Sequence, residues 1–546
     1  MIRITENLER KYRELQDKIN ELEYGGCNAA DVKKLGAPFG VYVEKNGKYM
    51  ARVRRLNGEL TPQELDDTVD IMNSHDIAYA HFSSRRNIQV HGVPSASVYS
   101  TLMAFGNKGM VFKGGGGNTF RSVAGSPYAG VSQKEVFDTT PYMEAVWNYI
   151  FTYDKAFTLG RKFKLAFSSD SSDEANCGVQ DMGLMAVVRN GQKGFKVYGG
   201  GGLGRGCALG IELVAFLPAE RVVQCVAAAI DLFSDHGDRE NRAKARLRFL
   251  RQKIGDDEFR NLYLEYLEKL DAPLLQNLKE VDYNRMTGDL TEFTDPVPEC
   301  SGYKGWLARS VKKTKFSDVV SVRLYIRKGV FAPENLATLA AVLRTIGAPC
   351  IRLTPQQDLV IPMVHKTALP FVYKILTEQL SEQTIIDGSF PRHIISCIGS
   401  EVCSMGLINS PAVADEIASA LDELFVDYPD IRDEVYADVI DGIRVSGCGS
   451  SCVANQIAAI GFNGHKKRIG GALTDIFFIH IGGSITEDGH YIAVSKPEWW
   501  IKTSQTAGFT AKIVEEYLDD YRSGNHRSLQ SFMLQKREGF DPVKYL

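Results

Sequence analysis

The 546-residue sequence lacks any long apolar run. No stretch approaches the roughly 18 to 20 consecutive apolar residues that a transmembrane helix needs, and the N-terminal segment lacks the apolar core of a signal peptide. A dominant charge is also lacking, because 64 Lys and Arg residues stand against 67 Asp and Glu residues. A general nucleic-acid binder needs a broad basic surface. We therefore expect a cytoplasmic globular protein that binds neither membranes nor nucleic acids.

The chain is too long for a single hydrophobic core, and its length predicts roughly three to four structural units. The first unit is an amphipathic helix, because apolar residues recur every three or four positions from Ile4 to Leu22, and Gly25 and Gly26 then stop the pattern. We interpret residues 1–35 as this helix and its lead-in, docked on the rest of the chain rather than on a partner protein.

An internal repeat organises much of the sequence. Residues 51–90 align with residues 322–361 without a gap, at a constant offset of 271 positions. Each copy reads as a strand, a glycine turn, a helix with proline at its first position, and a second strand. The paired identities are Arg52 with Arg323, Gly58 with Gly329, Pro62 with Pro333, and Leu65 with Leu336. We interpret the pattern as an ancient duplication, with two unrelated strand-helix-strand units as the alternative.

The two copies differ in charge. Arg85 and Arg86 of the first copy correspond to Gln356 and Gln357 of the second, so only the first copy has cations here. Between the copies, residues 291–306 have the proline and glycine content of a linker. We therefore expect a domain boundary near residues 290–315.

The ten cysteines divide into two groups. Disulfides are rare in a reducing compartment, so clustered cysteines there indicate metal ligands or reactive thiols. Four cysteines form two close pairs, Cys397 and Cys403 in SCIGSEVCSMG, and Cys448 and Cys452 in GCGSSC. The six scattered cysteines are assigned to packing, namely Cys27, Cys177, Cys207, Cys225, Cys300 and Cys350.

The spacing of the two pairs favours an iron-sulfur cluster. Five residues separate the first pair, more than the about two to four residues usual in structural zinc sites, whereas iron-sulfur clusters accept several loop spacings. Neighbouring glycines let backbone N–H groups approach sulfide. We predict that VANQIAAIG is a helix whose N-terminus stabilises the Cys452 thiolate. A zinc site and coincidental buried cysteines are the alternatives.

Three basic segments are candidates for an anion site. In SSRRNIQVHG, alternation places one set of polar side chains on a single strand face, namely Arg85, Asn87, Gln89 and His91. In RKFKL, Lys162 and Lys164 face one way and the apolar residues the other, while Arg121 follows a glycine run. Taken singly, each of these cations fits a solvated surface charge better than a binding site.

The motifs CIGSEVC and SGCGSSC resemble the signature of the siroheme-containing nitrite and sulfite reductases. The resemblance implies that Cys397, Cys403, Cys448 and Cys452 bind a [4Fe-4S] cluster and that Cys452 also bridges to the siroheme iron. Gly449 stands where this family usually has proline. That departure removes stiffness rather than a ligand.

The basic segments resemble three further motifs of the same family. Arg85 matches the arginine of TTRQ, Arg121 that of NRNV, and Lys162 and Lys164 the lysines of RKFK. The resemblance implies that these four residues bind an oxyanion over the siroheme iron and supply protons, with Arg121 and Gln89 also contacting the cofactor. The glycine-rich VYGGGGLGRG at 197–206 resembles a loop beside siroheme. The sequence departs from the family at Arg86, Phe120 and Ser122.

The resemblance extends from about residue 35 to about residue 500. It implies an α+β, internally duplicated nitrite/sulfite reductase fold with a pseudo-two-fold axis. Two ferredoxin-like half-domains are expected at 36–107 and 316–380, and two α/β siroheme/[4Fe-4S]-binding domains at 108–290 and 381–546, with helices inserted in the first and ending the second. The linker is expected at 291–315.

The expected reaction is the six-electron reduction of sulfite to sulfide, with an ammonia-forming nitrite reductase as the runner-up. The nitrite enzymes of the family tend to have RKWN where this chain has RKFK, and the second lysine, Lys164, suits a larger and more highly charged oxyanion. A non-redox protein with a four-cysteine zinc site is a distant alternative.

Electrons are expected from a separate partner, because the sequence has no convincing dinucleotide fingerprint and no additional ferredoxin module. The resemblance implies ferredoxin as the donor, with a flavoprotein as the alternative. The basic stretch SVKKTKFS at 310–317 is a candidate docking surface, although a solvated linker is the favoured interpretation.

Overall fold

The protein is described by a computed structural model that defines residues 4–276, 278–387, 394–487 and 489–546. The N-terminal segment forms the helices α1 (Glu6–Glu23) and α2 (Ala29–Gly36). Thr5 caps α1, and Tyr12, Leu15 and Ile19 are buried on one face at helical spacing. The prediction of a docked amphipathic helix is therefore confirmed.

The next segment builds the first half-domain. Its elements are β1 (Val41–Val43), β2 (Tyr49–Val53), β3 (Glu59–Leu60), α3 (Pro62–Ser74), β4 (Tyr79–Phe82), β5 (Ile88–Val93) and α4 (Val98–Asn107), and α1 packs against α4. α3 begins as the sequence predicts, with Pro62 at its first position. The Thr61 Oγ1 atom accepts from the Glu64 N–H at 3.2 Å, and the Glu64 carboxylate accepts from the Thr61 N–H at 3.0 Å.

The third segment forms a mixed sheet flanked by helices. Its elements are β6 (Phe120–Gly125), α5 (Thr140–Phe151), β7 (Phe163–Ser168), β8 (Met182–Arg189), β9 (Gln192–Gly199), β10 (Ile211–Pro218), α6 (Val222–His236), α7 (Leu247–Ile254), α8 (Asp256–Lys269) and α9 (Tyr283–Gly288). The sheet order is β10-β9-β8-β7-β6. β6, β7 and β8 run parallel, and β9 and β10 continue antiparallel.

The fourth segment repeats the pattern of the first half-domain. Its elements are α10 (Ser301–Ser310), β11 (Val311–Lys313), β12 (Val319–Leu324), β13 (Val330–Phe331), α11 (Pro333–Thr345), β14 (Ile351–Leu353), β15 (Leu359–His365) and α12 (Leu369–Glu378). The expected linker at 291–315 contains α10 and the edge strand β11, so its end belongs to the second half-domain. Proline and glycine content alone missed the buried face of α10, which carries Tyr303 and Trp306.

The C-terminal segment repeats the mixed sheet. Its elements are β16 (Ile395–Ser396), α13 (Gly399–Val402), α14 (Ser410–Leu424), α15 (Arg432–Gly442), β17 (Ile443–Ser446), β18 (Ile460–Ile469), β19 (Ala472–Ile481), β20 (Ser484–Thr486), β21 (Gly489–Tyr491), β22 (Trp500–Lys502), α16 (Thr506–Arg522) and α17 (Leu529–Lys536). The sheet order is β16-β17-β18-β19-β22, with β16, β17 and β18 parallel and the next two strands antiparallel. This is the strand order and direction of the sheet β6 to β10.

The two half-domains exchange strands across a pseudo-two-fold axis. The short strand β3 leaves the first copy and pairs with β14 of the second, Leu60 opposite Ile351. Reciprocally, β13 leaves the second copy and pairs with β4 of the first, Phe331 opposite Ala80. Both pairings obey the offset of 271 found in the sequence. The duplicated fold is confirmed, and the exchange makes each sheet depend on both halves of the chain.

Matching backbone strain supports the duplication. Asn57 and Lys328, which are equivalent in the two copies, have φ angles of 51° and 54°. Arg86 and Gln357 are likewise equivalent, with φ angles of 57° and 70°. Left-handed conformations are costly for residues other than glycine. Their recurrence at equivalent positions indicates that both copies keep the same turns.

Three hydrophobic cores hold these parts together. One core is shared by both half-domains and α1, from Tyr12 to Ile386. Each mixed sheet has its own core beneath its helices. The polar residues that concern function lie where the half-domains meet the mixed sheets.

The scattered cysteines vary in burial. Cys177, Cys225 and Cys350 are buried, as the packing assignment expects, and Cys27 and Cys207 are partly buried. Cys300 is exposed, so the assignment to packing is wrong for that residue. Within the described ranges, no helix combines the length and apolar character needed to cross a membrane. A cytoplasmic location stays a prediction.

Candidate active site and cofactor cavity

Parallel strands bring the two cysteine pairs to one sheet edge. Cys397 follows β16 directly, and Cys448 lies just beyond the end of β17. Because β16 and β17 are neighbours and parallel, their carboxyl ends emerge side by side. The Gly447 N–H accordingly donates to the Cys397 Sγ at 3.2 Å. The strand arrangement therefore explains why cysteines 45 or more positions apart in sequence meet.

The thiols lie among hydrogen-bond donors. The Met405 N–H approaches the Cys403 Sγ at 3.4 Å, and the Ser410 Oγ lies 3.1 Å from the Cys397 Sγ. Burial raises the pKa of the Cys397 and Cys403 thiols, so a bound cationic centre is needed to hold them as thiolates. Across the described residues, no three His, Cys, Asp or Glu side chains converge closely enough for one metal ion.

The segment after Cys452 differs from the prediction. VANQIAAIG forms a single 3-10 turn at Asn455–Ile457 and then enters β18 at Ile460, with Ala454 in the left-handed region at φ 58°. Only Ile460 and Gly461 of this stretch lie in β18, which runs between parallel β17 and antiparallel β19 and is buried over its first half. Short apolar runs fit buried strands and helices alike. The prediction of a helix dipole acting on Cys452 is therefore wrong.

The structure brings the four predicted cations together. Arg85 lies in the turn between β4 and β5, rather than in the strand itself, Arg121 lies in β6, and Lys164 lies in the adjacent β7, with Lys162 just before it. β6 and β7 are parallel neighbours with Phe120 opposite Phe163. Phe163 and Leu165 are buried while Lys164 stays partly exposed, which confirms the predicted alternation in RKFKL.

Burial and mutual repulsion lower the pKa of these cations. Burial lowers the pKa of Arg85 to about 10, with Arg52 adding to the effect. Burial, then the charge of Arg85, lowers the pKa of both Lys162 and Lys164 well below the ordinary lysine value. Cys452 interacts electrostatically with all three residues in the opposite sense. The cations therefore gather beside Cys452.

The pocket has a large excess of positive charge. Among the described residues, its carboxylate is Asp181, and that group is already engaged. Arg246 donates to both Asp181 oxygens at 3.0 and 2.8 Å, and the Lys164 N–H donates to the same carboxylate at 2.9 Å. Unpaired buried cations are unfavourable unless an anion joins them. The site is built to receive one.

Several arginines of this site were not predicted from the sequence. Arg52 lies in β2 and Arg54 directly follows it, while Arg246 and Arg248 lie before and within α7. The repeat identified Arg52 as shared with the second copy without indicating its role. Residues 246–251 have the sequence pattern of an ordinary charged helix. The spacing Arg246, Arg248, Arg251 carried no periodic signal that marks a site.

The glycine run before Arg121 wraps around arginines. The Arg121 guanidinium donates to the Thr119 Oγ1 at 2.6 Å and to the Gly117 carbonyl at 2.7 Å, and it also contacts the Gly116 carbonyl. Arg52 donates to the Gly115 carbonyl at 2.8 Å. A Cβ atom added at Gly114 would lie 2.4 Å from the Arg54 Nη1. Glycine is therefore required here for close packing of backbone against guanidinium groups.

Unpartnered polar atoms test whether a polyanionic cofactor fits. Among the described residues, five buried guanidinium nitrogens have no hydrogen-bond partner, namely the Arg52 Nε, Arg54 Nη2, Arg121 Nε, Arg248 Nη1 and Arg251 Nε. The last of these lies 2.9 Å from an Asp256 carboxylate oxygen. Buried donors are rarely left unsatisfied in proteins. Siroheme carries many carboxylates, which pair well with guanidinium groups. The residues present fit that cofactor.

A small cavity lies within the cationic pocket. Its volume is about 70 Å³, and Arg85, Asn87, Arg121 and Lys164 are among the residues that line it. One water needs roughly 10–15 Å³ on this scale. The cavity therefore has room for a small oxyanion with its solvent.

Gln89 contacts other residues of the chain, and so do the three residues at which the sequence departs from the family, Arg86, Phe120 and Ser122. The Gln89 Oε1 lies 3.1 Å from the His81 Nδ1 inside the sheet, in register opposite Arg52, so its cofactor contact stays a prediction. Arg86 donates to the Asn57 Oδ1 at 2.9 Å and to the Glu174 carbonyl at 3.1 Å. Phe120 stacks on Phe163 in the core, and the Ser122 Oγ donates to the Asn87 Oδ1 at 2.7 Å.

Two contacts join the cysteine loop to the cationic pocket. The Ser84 hydroxyl, next to Arg85, donates to the Cys452 carbonyl at 2.5 Å. The Gly204 N–H donates to the Gln456 Oε1 at 2.7 Å, which ties the glycine-rich loop to the turn after Cys452. Arg248 in turn holds that loop through the Gly206 carbonyl at 2.7 Å. The candidate cluster ligands and the anion pocket thus form one continuous site.

The fold and the site together define an oxidoreductase that acts on a small oxyanion. A family model described as "Nitrite and sulphite reductase 4Fe-4S domain" matches residues 116–270, and one described as "Nitrite/Sulfite reductase ferredoxin-like half domain" matches residues 42–100 and 314–379. The chain belongs to the nitrite and sulfite reductase family. It is a siroheme-dependent enzyme with a [4Fe-4S] cluster, and this assignment displaces the zinc alternative.

Relatives bear both substrate names. The chain is 27% identical to the ferredoxin–nitrite reductase of Synechococcus elongatus over 454 residues, covering 81% of each chain. It is 28% identical to the sulfite reductase [ferredoxin] of Mycobacterium tuberculosis over 501 residues, covering 90% of this chain and 80% of the relative. The solved structure of Mycobacterium tuberculosis NirA matches with a TM-score of 0.78 at 22% identity, covering 98% and 97% of the two chains. That likeness shows the fold.

Proposed function

We propose that the protein reduces sulfite to sulfide, taking six electrons one at a time from a separate donor. The observation that carries the proposal is the position of Lys164 beside Arg85 and Lys162, where Arg246 already pairs with the carboxylate of Asp181. Sulfite at neutral pH carries up to two negative charges, whereas nitrite carries one. A pocket with an additional buried lysine favours the more highly charged anion.

The proposed cluster ligands are the cysteines of the two cysteine motifs. Cys397, Cys403, Cys448 and Cys452 would hold the cluster, and Cys452 would also offer its thiolate to siroheme. When bound, siroheme and the cluster supply the electrons for reduction. The protein holds Cys452 against the pocket through the hydrogen bond from Ser84.

The cations have two proposed roles. Arg85 and Arg121 neutralise the oxyanion and stabilise charge as electrons arrive. Lys162 and Lys164 donate protons to oxygens that leave as water, because their lowered pKa makes proton release easier. The overall reaction converts bisulfite, six electrons and six protons to hydrosulfide and three waters.

Nitrite is the second candidate substrate, and the nitrite reductase names of several relatives favour it. A Lys164→Asn variant separates the two. We expect it to lower kcat/KM for sulfite by about tenfold relative to nitrite, since one charge-assisted hydrogen bond contributes about 1.5–3 kcal/mol. Lys193→Asn is the matched control, because Lys193 is exposed and pairs with Glu280. Equal losses for both substrates would contradict the proposed role of Lys164.

Ferredoxin is the proposed electron donor, supported by the ferredoxin-dependent names of the relatives. We do not propose the basic stretch 310–317 as its docking surface. The Lys315 ammonium pairs with Glu135 at 2.7 Å, and Lys312 lies over the Tyr128 ring and 3.4 Å from Glu174. Lys312 and Lys315 thus already have partners within the chain. In steady-state turnover with varied reduced ferredoxin, wild type and Lys313→Gln should therefore have the same apparent KM for ferredoxin.

A further inference from the structure

A loop with several cations, residues 238–246, lies beside the segment that leads into β7 and the cationic pocket. Residues 238–246 connect α6 to α7, starting at the surface and ending at the buried Arg246. An added Cβ atom at Gly160 would lie 3.0 Å from the Asp238 carbonyl oxygen. The loop therefore packs directly on the residue before Arg161 and Lys162.

Hydrogen bonds fix the conformation of this loop. Arg239 donates to the Thr158 carbonyl at 2.9 Å and to the Ser234 carbonyl at 3.0 Å, which clamps the loop to the chain before β7. The Asp238 Oδ1 accepts from the N–H groups of Glu240 and Asn241 at 2.9 and 2.8 Å. The two carboxylates of the loop thus lie at its start, before Arg242.

Three arginines form a series from solvent to the pocket. Arg242 is exposed, Arg161 is partly buried, and Arg246 is buried. Within the described ranges, neither Arg242 nor Arg161 has a carboxylate partner, whereas Arg246 is paired with Asp181. Arg161 interacts electrostatically with Arg242 on one side and with Arg246 on the other. An exposed, unpaired cation in this position extends the positive potential of the pocket outward.

We propose that Arg242 guides small oxyanions into the site, acting as the outermost charge of an entrance formed by residues 238–246 and Arg161. The role rests on the proposed function only in requiring an anionic ligand. Arg242 contributes to the rate of entry and not to the chemical step. Clefts lined by charge of one sign raise the association rate of ions of opposite charge, and salt screens the effect.

The test compares the entry of charged and neutral ligands. Stopped-flow absorbance at the siroheme band follows nitrite binding to the holoenzyme, and carbon monoxide binding to the reduced holoenzyme. We expect Arg242→Glu to slow nitrite association about threefold at ~0.01 M ionic strength, because it reverses one charge at the entrance, and to match wild type at ~1 M. Carbon monoxide association and siroheme absorbance per chain should not change.

Two further variants sharpen the result. Arg242→Gln should give a smaller loss than Arg242→Glu, because it removes a charge without reversing it. Arg189→Glu is the control, since Arg189 is likewise exposed at the end of β8 but lies against Phe216. An unchanged nitrite rate, a loss that salt does not remove, or an equal loss for carbon monoxide would overturn the proposal. Nitrite ligation is measured without turnover, so this outcome is independent of which anion is the substrate.

Discussion

Arg323 donates to Asp358 at 2.6 Å and to Asp441 at 2.7 Å, whereas Arg52, its equivalent in the first copy, contacts no carboxylate in the described part of the chain. The two arginines began as the same residue of a duplicated unit. One copy supplied its own carboxylates and closed its site with an internal ion-pair network. The other leaves its guanidinium without a carboxylate among the described residues, so the two halves of the duplicated fold differ in the charge that they offer to a ligand.

This asymmetry predicts opposite effects for two identical substitutions. Arg323→Gln should lower the free energy of unfolding by about 3–5 kcal/mol, because it leaves two carboxylates without their partner. Arg52→Gln should cost the cofactor-free chain only about 0.5–1.5 kcal/mol, from the hydrogen bond to the Gly115 carbonyl, and weaken siroheme retention roughly tenfold or more, through loss of a charge-assisted hydrogen bond. Urea unfolding and siroheme absorbance per chain measure both. Equal destabilisation by the two variants would contradict the asymmetry.

Cys452 is predicted to couple the cluster to siroheme. Cys452→Ser should abolish that coupling in the electron paramagnetic resonance spectrum and reduce turnover to background. Cys300→Ser is the control, because Cys300 is exposed and remote from the two cysteine motifs in sequence. A Cys452→Ser protein with wild-type optical and magnetic spectra would show that another residue bridges the two centres.

Ser84 is predicted to position the Cys452 loop. Its hydroxyl donates to the Cys452 carbonyl across the boundary between a half-domain and a mixed sheet. Ser84→Ala should lower stability by about 0.5–1.5 kcal/mol and shift the magnetic signature of the coupled centres. Ser100→Ala removes a comparable bond, to the Ser97 carbonyl at 3.0 Å within a surface helix, and should leave the spectra unchanged. Identical spectra for both variants would mean that Ser84 contributes to stability alone.

His81 predicts an acid-sensitive half-domain. Burial, then the charge of His91, lowers the pKa of His81 to about 3. The unfolded chain, with an ordinary histidine pKa of about 6.5, therefore binds a proton that the folded chain does not. Stability should fall as pH drops from about 6.5 toward 3, by up to about 4 kcal/mol from this residue.

The His81→Gln variant tests that dependence. Glutamine does not titrate, so its unfolding free energy should vary less with pH over the same range than that of wild type. The difference is measured by urea unfolding at intervals from about pH 7 down to the lowest pH at which both proteins stay soluble. Parallel pH profiles for the two proteins would contradict the assigned shift.

The sequence was most informative where local rules and packing agree. Pro62 and Thr61 began α3 as expected, and the repeat located the strands of both half-domains. The strand exchange of β3 and β13 was not predictable, because a two-residue strand has no periodicity and the paired residues lie 291 positions apart for β3 and 251 for β13. The short apolar run after Cys452 was misread for a related reason, since length and tertiary partners decide between helix and strand.

The candidate site divides in the same way. The cysteine motifs and RKFK could be identified from the sequence because each motif places its functional side chains within a few residues of one another. Arg52 and Arg246 could not be predicted, because their surroundings form only in the folded chain: Arg52 contacts no carboxylate among the described residues, and Arg246 pairs with Asp181. Arg121 shows the limit of motif transfer, since its guanidinium also organises the glycine run 114–117.

The most direct test of the central claim is anaerobic turnover of the purified holoenzyme with a reduced viologen dye, measuring sulfide from sulfite and ammonia from nitrite under matched conditions. The account predicts a higher kcat/KM for sulfite, with sulfide as the product. A higher kcat/KM for nitrite would contradict it, and would show that Lys164 does not select the substrate although the fold, the cluster and the cationic pocket are retained.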